Sequence, residues 1–253
     1  SFNRLAYDGR ANARFAHLSS QHEVHMGKFA AVVNTLYVAA GVALFVTGEA
    51  PVITPGVDFL GDKFAMAWAG WKFSGCLYMA LINWGVGLGP ASALTAIPYI
   101  AFDIFAAFDP AHWTPASYAF IVLESISAAT ALAGKCKVGG VINLLYVAAG
   151  IALFVTGEAP VITPGVDFLG DKFAMAWAGW KFSGCLYYAC VNLGLPQCLG
   201  MALSMISYVG FDVFALSDAA NWTSLAGGFI LLDAAMGVLG FREYLIQPKV
   251  KAS

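Results

Sequence analysis

At 253 residues, with 60% hydrophobic, 14% aromatic and 11% charged positions, the chain is too apolar for an ordinary soluble domain, where about a quarter of residues are charged. A formal charge of −2 offers no basic field for nucleic acid. The cysteines Cys76, Cys136, Cys185, Cys190 and Cys198 show neither CxxC nor metal-ligand spacing, so no disulfide framework, structural zinc or other metal site is expected.

The chain opens with a polar arm, Ser1 to Lys28, that carries Arg4, Arg10, Arg14 and three of the four histidines. A start at Ser fits either a removed targeting peptide or a trimmed sequence. Apolar segments follow at about Phe29–Thr47, Phe64–Gly87, Ala91–Phe108, Pro115–Ala133, Val138–Thr156, Phe173–Leu195, Cys198–Leu216 and Ser224–Phe241. Most reach the ~20 residues that cross a bilayer core of about 30 Å, and in lipid such runs must be helical, because no water satisfies the backbone.

An internal repeat organises these segments. Leu36 to Tyr78 recurs as Leu145 to Tyr187 at an offset of 109, and only Val42 against Ile151 differs. Beyond that block the register persists while the identity fades: Tyr99–Ala106 answers Tyr208–Ala215, Trp113-Thr114 answers Trp222-Thr223, and Glu124 answers Asp233. The expected fold is an all-α integral membrane protein of about eight transmembrane helices, arranged as two parallel tandem four-helix modules. Its expected divisions are an N-terminal arm (1–28), a first module (29–134), a second module (135–241) and a C-terminal tail (242–253).

Charge orients this plan. Arg4, Arg10, Arg14, Lys28, Lys135, Lys137, Arg242, Lys249 and Lys251 fall on one side of an eight-span chain, opposite the acidic loops with Glu49, Asp58, Asp62, Asp109, Glu158, Asp167, Asp171 and Asp218. The positive-inside rule places both termini in the cytoplasm, stroma or matrix.

Six ionisable residues interrupt the apolar segments: Lys72, Asp103 and Glu124, and their repeats Lys181, Asp212 and Asp233. A charge at bilayer depth costs several kcal/mol unless paired or hydrated, so each is a functional candidate. One reading is a proton or ion relay in each module. The other is a Lys–carboxylate pair neutralised within each module, or a Lys snorkelling from near a helix end.

The turn-rich loop Gly48–Lys63 and its copy Gly157–Lys172 read as a rigid cap or docking surface rather than a calcium loop. Trp68, Trp71, Trp177 and Trp180, near helix starts, read as an interfacial aromatic belt. His22 and His25 at i, i+3 form too small a set for a metal site, and His112 aligns with Asn221 in the second repeat. The sequon Asn221-Trp222-Thr223 is weak evidence of glycosylation, and the absence of P-loop, GxSxG and HExxH motifs argues against an enzyme.

Glu23 to Ala31 (EVHMGKFAA) resembles the E-x-x-H/N-G-R-x-A-M segment of light-harvesting chlorophyll proteins. Met26 stands at that family's ligand position, Lys28 replaces its Arg, and those proteins have three spans. The resemblance implies a photosynthetic membrane, with chlorophyll, carotenoid and lipids as bound groups. Pigment ligands would then be His25, His17, Asn83 and Asn192. The expected role is a non-catalytic accessory subunit of a photosystem–antenna complex, contacting other membrane subunits in a chloroplast thylakoid, with both termini stromal. The mitochondrial inner membrane is the alternative compartment. The competing functional class is a small transporter or channel lined by the six intramembrane charges.

Overall fold

The computed structural model describes residues 9–50, 54–108, 114–160, 162–217 and 226–247, with side chains from residue 27 onward. It is all-helical. Helices α1 (Gly9–Thr47), α2 (Lys63–Asn83), α3 (Leu88–Ala107) and α4 (Tyr118–Leu132, after a 3-10 turn at Pro115–Ser117) are followed by α5 (Cys136–Thr156), α6 (Lys172–Asn192), α7 (Gln197–Leu216) and α8 (Gly227–Ile246). Outside them, the described residues pair only at two isolated bridges, Ala50 with Thr54 and Ala159 with Thr163.

The loop acids explain why the helices start where they do. Asp62 and Asp171 cap α2 and α6, accepting from the backbone N–H of Ala65 at 3.1 Å and Ala174 at 3.0 Å. Asp58 accepts from Leu60 and Gly61, and Asp167 from Leu169 and Gly170, each at 3.0 Å. Four carboxylates of the acidic loops therefore serve turns and caps.

Among the described residues, five segments are long and apolar enough to cross a membrane: Gly27–Thr47, Leu88–Ala107, Pro115–Leu132, Cys136–Thr156 and Gln197–Leu216. Helices α2, α6 and α8 fall outside this group; α2 and α6 pack against each other at the centre and bury most of their residues.

The packing traces a closed circuit. Each helix contacts the next from α1 to α8, α8 returns to α1, and α2 meets α6 across the middle. This divides the bundle into two five-helix rings that share α2 and α6: α2–α6 form one, and α6, α7, α8, α1 and α2 form the other. The close α2–α6 crossing requires glycine at Gly75 and Gly184, since a Cβ on Gly75 would stand 3.3 Å from the Gly184 Cα.

Candidate functional site

Each ring encloses a polar cluster, and each cluster draws on both sequence repeats. In the first ring, α6 supplies Lys181 and α5 supplies Tyr146. Opposite them stand Asp103 on α3, Glu124 on α4, Tyr99 on α3, and Trp68 and Trp71 on α2. In the second ring, α2 supplies Lys72 and α1 supplies Tyr37, facing Asp212 on α7, Asp233 on α8, and Tyr208, Trp177 and Trp180. The charge of Lys181 acts on Asp103 and Glu124, and that of Lys72 on Asp212 and Asp233.

The expectation that charges neutralise within each module is therefore corrected: each of the two cluster lysines, Lys72 and Lys181, faces the acids of the other repeat. Helix geometry also sets aside snorkelling. Lys72 is the tenth residue of the 21-residue α2, about 14 Å along it at ~1.5 Å per residue. Its ammonium lies 4.6 Å from the Tyr37 ring centre and 4.5 Å from that of Phe73; Lys181 lies 4.5 Å from Tyr146 and 4.7 Å from Phe182. Such placement over ring faces partly replaces lost hydration.

The tryptophans overturn a second expectation. Trp68 and Trp177 are each 1% exposed, and Trp71 and Trp180 each 4%, so these residues wall the clusters and form no interfacial belt. The loops cross between repeats in the same manner. Phe59, fully buried, packs edge-on against Trp177 at 5.6 Å, and Phe168 against Trp68 at 5.7 Å. The cap function expected of Gly48–Lys63 and Gly157–Lys172 thus has a concrete form: each loop places a phenylalanine beside the cluster walled by the other repeat's tryptophans.

Polar groups in the two clusters are only partly satisfied. In the second, Tyr37 donates to Asp233 at 2.9 Å and Trp180 Nε1 donates to Asp212 at 2.8 Å. Asp212 Oδ2, the Tyr208 hydroxyl and Trp177 Nε1 have no hydrogen-bond partner among the described residues. In the first, the same holds for Asp103 Oδ2 and Trp68 Nε1, while the Tyr146 hydroxyl interacts with Glu124. Buried polar groups cost free energy unless paired. Each cluster borders a cavity of about 20 Å³, space for a water molecule, which needs roughly 10–15 Å³ on this measure.

The other candidates lie elsewhere. Asn83 donates to Met79 O at 2.7 Å and to the Tyr187 hydroxyl at 3.2 Å, and accepts from Gln197 at 2.8 Å. Asn192 donates to the Tyr78 hydroxyl and to Tyr188 O. Both amides thus belong to a polar network between repeats at the ends of α2 and α6. The side chains of His17, His22 and His25, and all of His112, Asp109, Asp218 and Asn221–Thr223, lie outside the described residues. Among the described residues, no group of three or more His, Cys, Asp or Glu could hold a metal ion.

Sequence reasoning missed Tyr99, Tyr208, Phe120, Phe229 and the Phe102/Phe211 pair, which lies over Gly70 and Gly179. A signal for them existed: these aromatics stay identical between repeats in the half where most other positions have diverged. Pro98 was also passed over. Lying inside α3 just before Tyr99, it removes a backbone donor from the helix that carries Asp103; its counterpart Ser207 instead accepts from Ser183 at 2.7 Å.

The fold and sites define an all-helical membrane protein with duplicated buried charge clusters. Comparison with family models, curated proteins and solved structures finds no match.

Proposed function

We propose that the chain is an eight-span membrane carrier that binds and passes protons at two equivalent sites between its repeats. The observation that carries this reading is the reciprocal pair of enclosed clusters, each setting two carboxylates against one ammonium. With all three groups ionised, each cluster bears a net negative charge at bilayer depth. One bound proton makes it neutral, and that proton is the exchangeable one. Placement at the interface between repeats agrees with the plan of repeat-built transporters.

The test is proton flux into liposomes that contain the purified protein and an internal pH-sensitive dye. Asp103→Asn with Asp212→Asn should abolish flux while the protein still purifies as a folded species. Wild-type flux no greater than that of empty liposomes sinks the proposal.

A second reading is favoured by the small size and enclosure of the cavities. Here the clusters only lock the repeats together, in an accessory subunit of a larger membrane complex. Under it, the same double substitution would prevent the protein from accumulating in the membrane, and no flux would be seen with the wild type.

A further inference from the structure

One large cavity runs from the edge of the second cluster, at Asp233, towards the end of α8. It is a groove of about 610 Å³ between α7 and α8, lined by Ile206, Val209, Gly237, Val238 and Phe241, with Asp233 at one end and Arg242 toward the other. Its volume falls within the range of about 300–1,000 Å³ typical of ligand sites. Its walls are almost wholly apolar, and Arg242 is the only cation among its described lining residues.

We propose that this groove holds one acyl chain of an anionic phospholipid, with the phosphate at Arg242. Asp233 and Arg242 lie nine residues apart on one helix, about 14 Å at ~1.5 Å per residue. That is about half of a ~30 Å bilayer core, so the groove follows one leaflet from its headgroup edge towards the middle. An apolar trough ending in a guanidinium matches a lipid tail joined to a phosphate, the group that arginine binds in bidentate fashion.

The first repeat lacks this site for a structural reason. Helix α4 ends at Leu132 and turns at Gly134 (φ +76°) into α5, whereas α8 continues to Ile246. Ala133 stands at the position of Arg242. The protein therefore holds one such lipid per chain despite its duplicated sequence. This inference does not depend on proton transport.

The protein in nanodiscs of phosphatidylcholine doped with phosphatidylglycerol, analysed by native mass spectrometry, tests it. The wild type should retain one phosphatidylglycerol, and Arg242→Gln should lower that retention about tenfold, the loss expected for one charge-assisted contact. Ile206→Trp should fill the groove and remove the lipid; residues 206 and 242 are both exposed, so a thermal melt should show an unchanged fold. Arg242→Lys should keep part of the retention, and inorganic phosphate should not displace the lipid. Equal retention by Arg242→Gln, phosphatidylcholine held as firmly, two lipids per chain, or displacement by phosphate alone would each overturn the proposal.

Discussion

The two clusters are built on one plan from unequal materials. The lysines, Tyr37 and Tyr146, and the tryptophans come from the near-identical block, so both clusters receive the same set; the acids, with Tyr99 and Tyr208, come from the diverged half, where Glu124 stands at the counterpart of Asp233. Asp233 receives the Tyr37 hydroxyl at 2.9 Å, and the equivalent Tyr146 hydroxyl interacts with Glu124. Duplication has kept the cation, the aromatic walls and the aspartate of α3 and α7 constant while the acid of α4 and α8 has varied, so a difference in behaviour between the clusters is expected to involve α4 and α8.

The largest effect expected comes from breaking one cluster at its cation. Lys72→Met leaves Asp212 and Asp233 without a counter-charge and should cost about 3–5 kcal/mol, as for any buried pair that loses one partner. Added Asp212→Asn should recover part of the loss. Thermal unfolding in detergent reads both, and an effect no larger than that of an exposed Lys137→Met control would refute the cluster. The shared boundary comes next. Gly75→Leu drives a side chain into the α2–α6 crossing and should destabilise by about 1–3 kcal/mol through overpacking, disturbing both rings together. If only one ring responds, the shared pair of helices is misassigned.

Two smaller changes sharpen the contrast. Asn83→Ala removes contacts to Tyr187 and Gln197 and should cost about 1 kcal/mol, without altering proton flux. Glu124→Asp converts the first cluster towards the second. It should alter the carboxylate's contact with Tyr146 and change stability by less than about 1 kcal/mol, while Asp233→Glu should alter the Tyr37 bond. Tyrosine hydroxyl signals in infrared difference spectra distinguish the two, and identical spectra would remove the proposed asymmetry.

Much of the fold was legible because lipid imposes a simple rule on sequence. The segment expected at Ala91–Phe108 is α3 at Leu88–Ala107, and that expected at Val138–Thr156 is α5 at Cys136–Thr156. The six intramembrane charges were legible for the same reason: each interrupts an otherwise apolar run.

Their partners were not legible. In a chain whose repeats are nearly identical, Lys72 and Lys181 are interchangeable on paper, and nothing in the spacing separates pairing within a repeat from pairing across repeats. The choice is made in three dimensions, where the α2–α6 crossing through Gly75 and Gly184 turns each lysine towards the neighbouring repeat's acids. The tryptophans were misread through a related gap. Their distance from a helix start gave their depth but not their direction, and a central helix has no lipid-facing side to receive them.

The most direct measurement is a pair of double-mutant cycles on thermal or denaturant unfolding, one combining Lys72→Met with Asp212→Asn and the other Lys72→Met with Asp103→Asn. Reciprocal pairing predicts a coupling energy of about 0.5–3 kcal/mol for Lys72 with Asp212, and additivity within about 0.5 kcal/mol for Lys72 with Asp103. Coupling of Lys72 to Asp103 in its own repeat, with none to Asp212, would contradict the two-ring architecture.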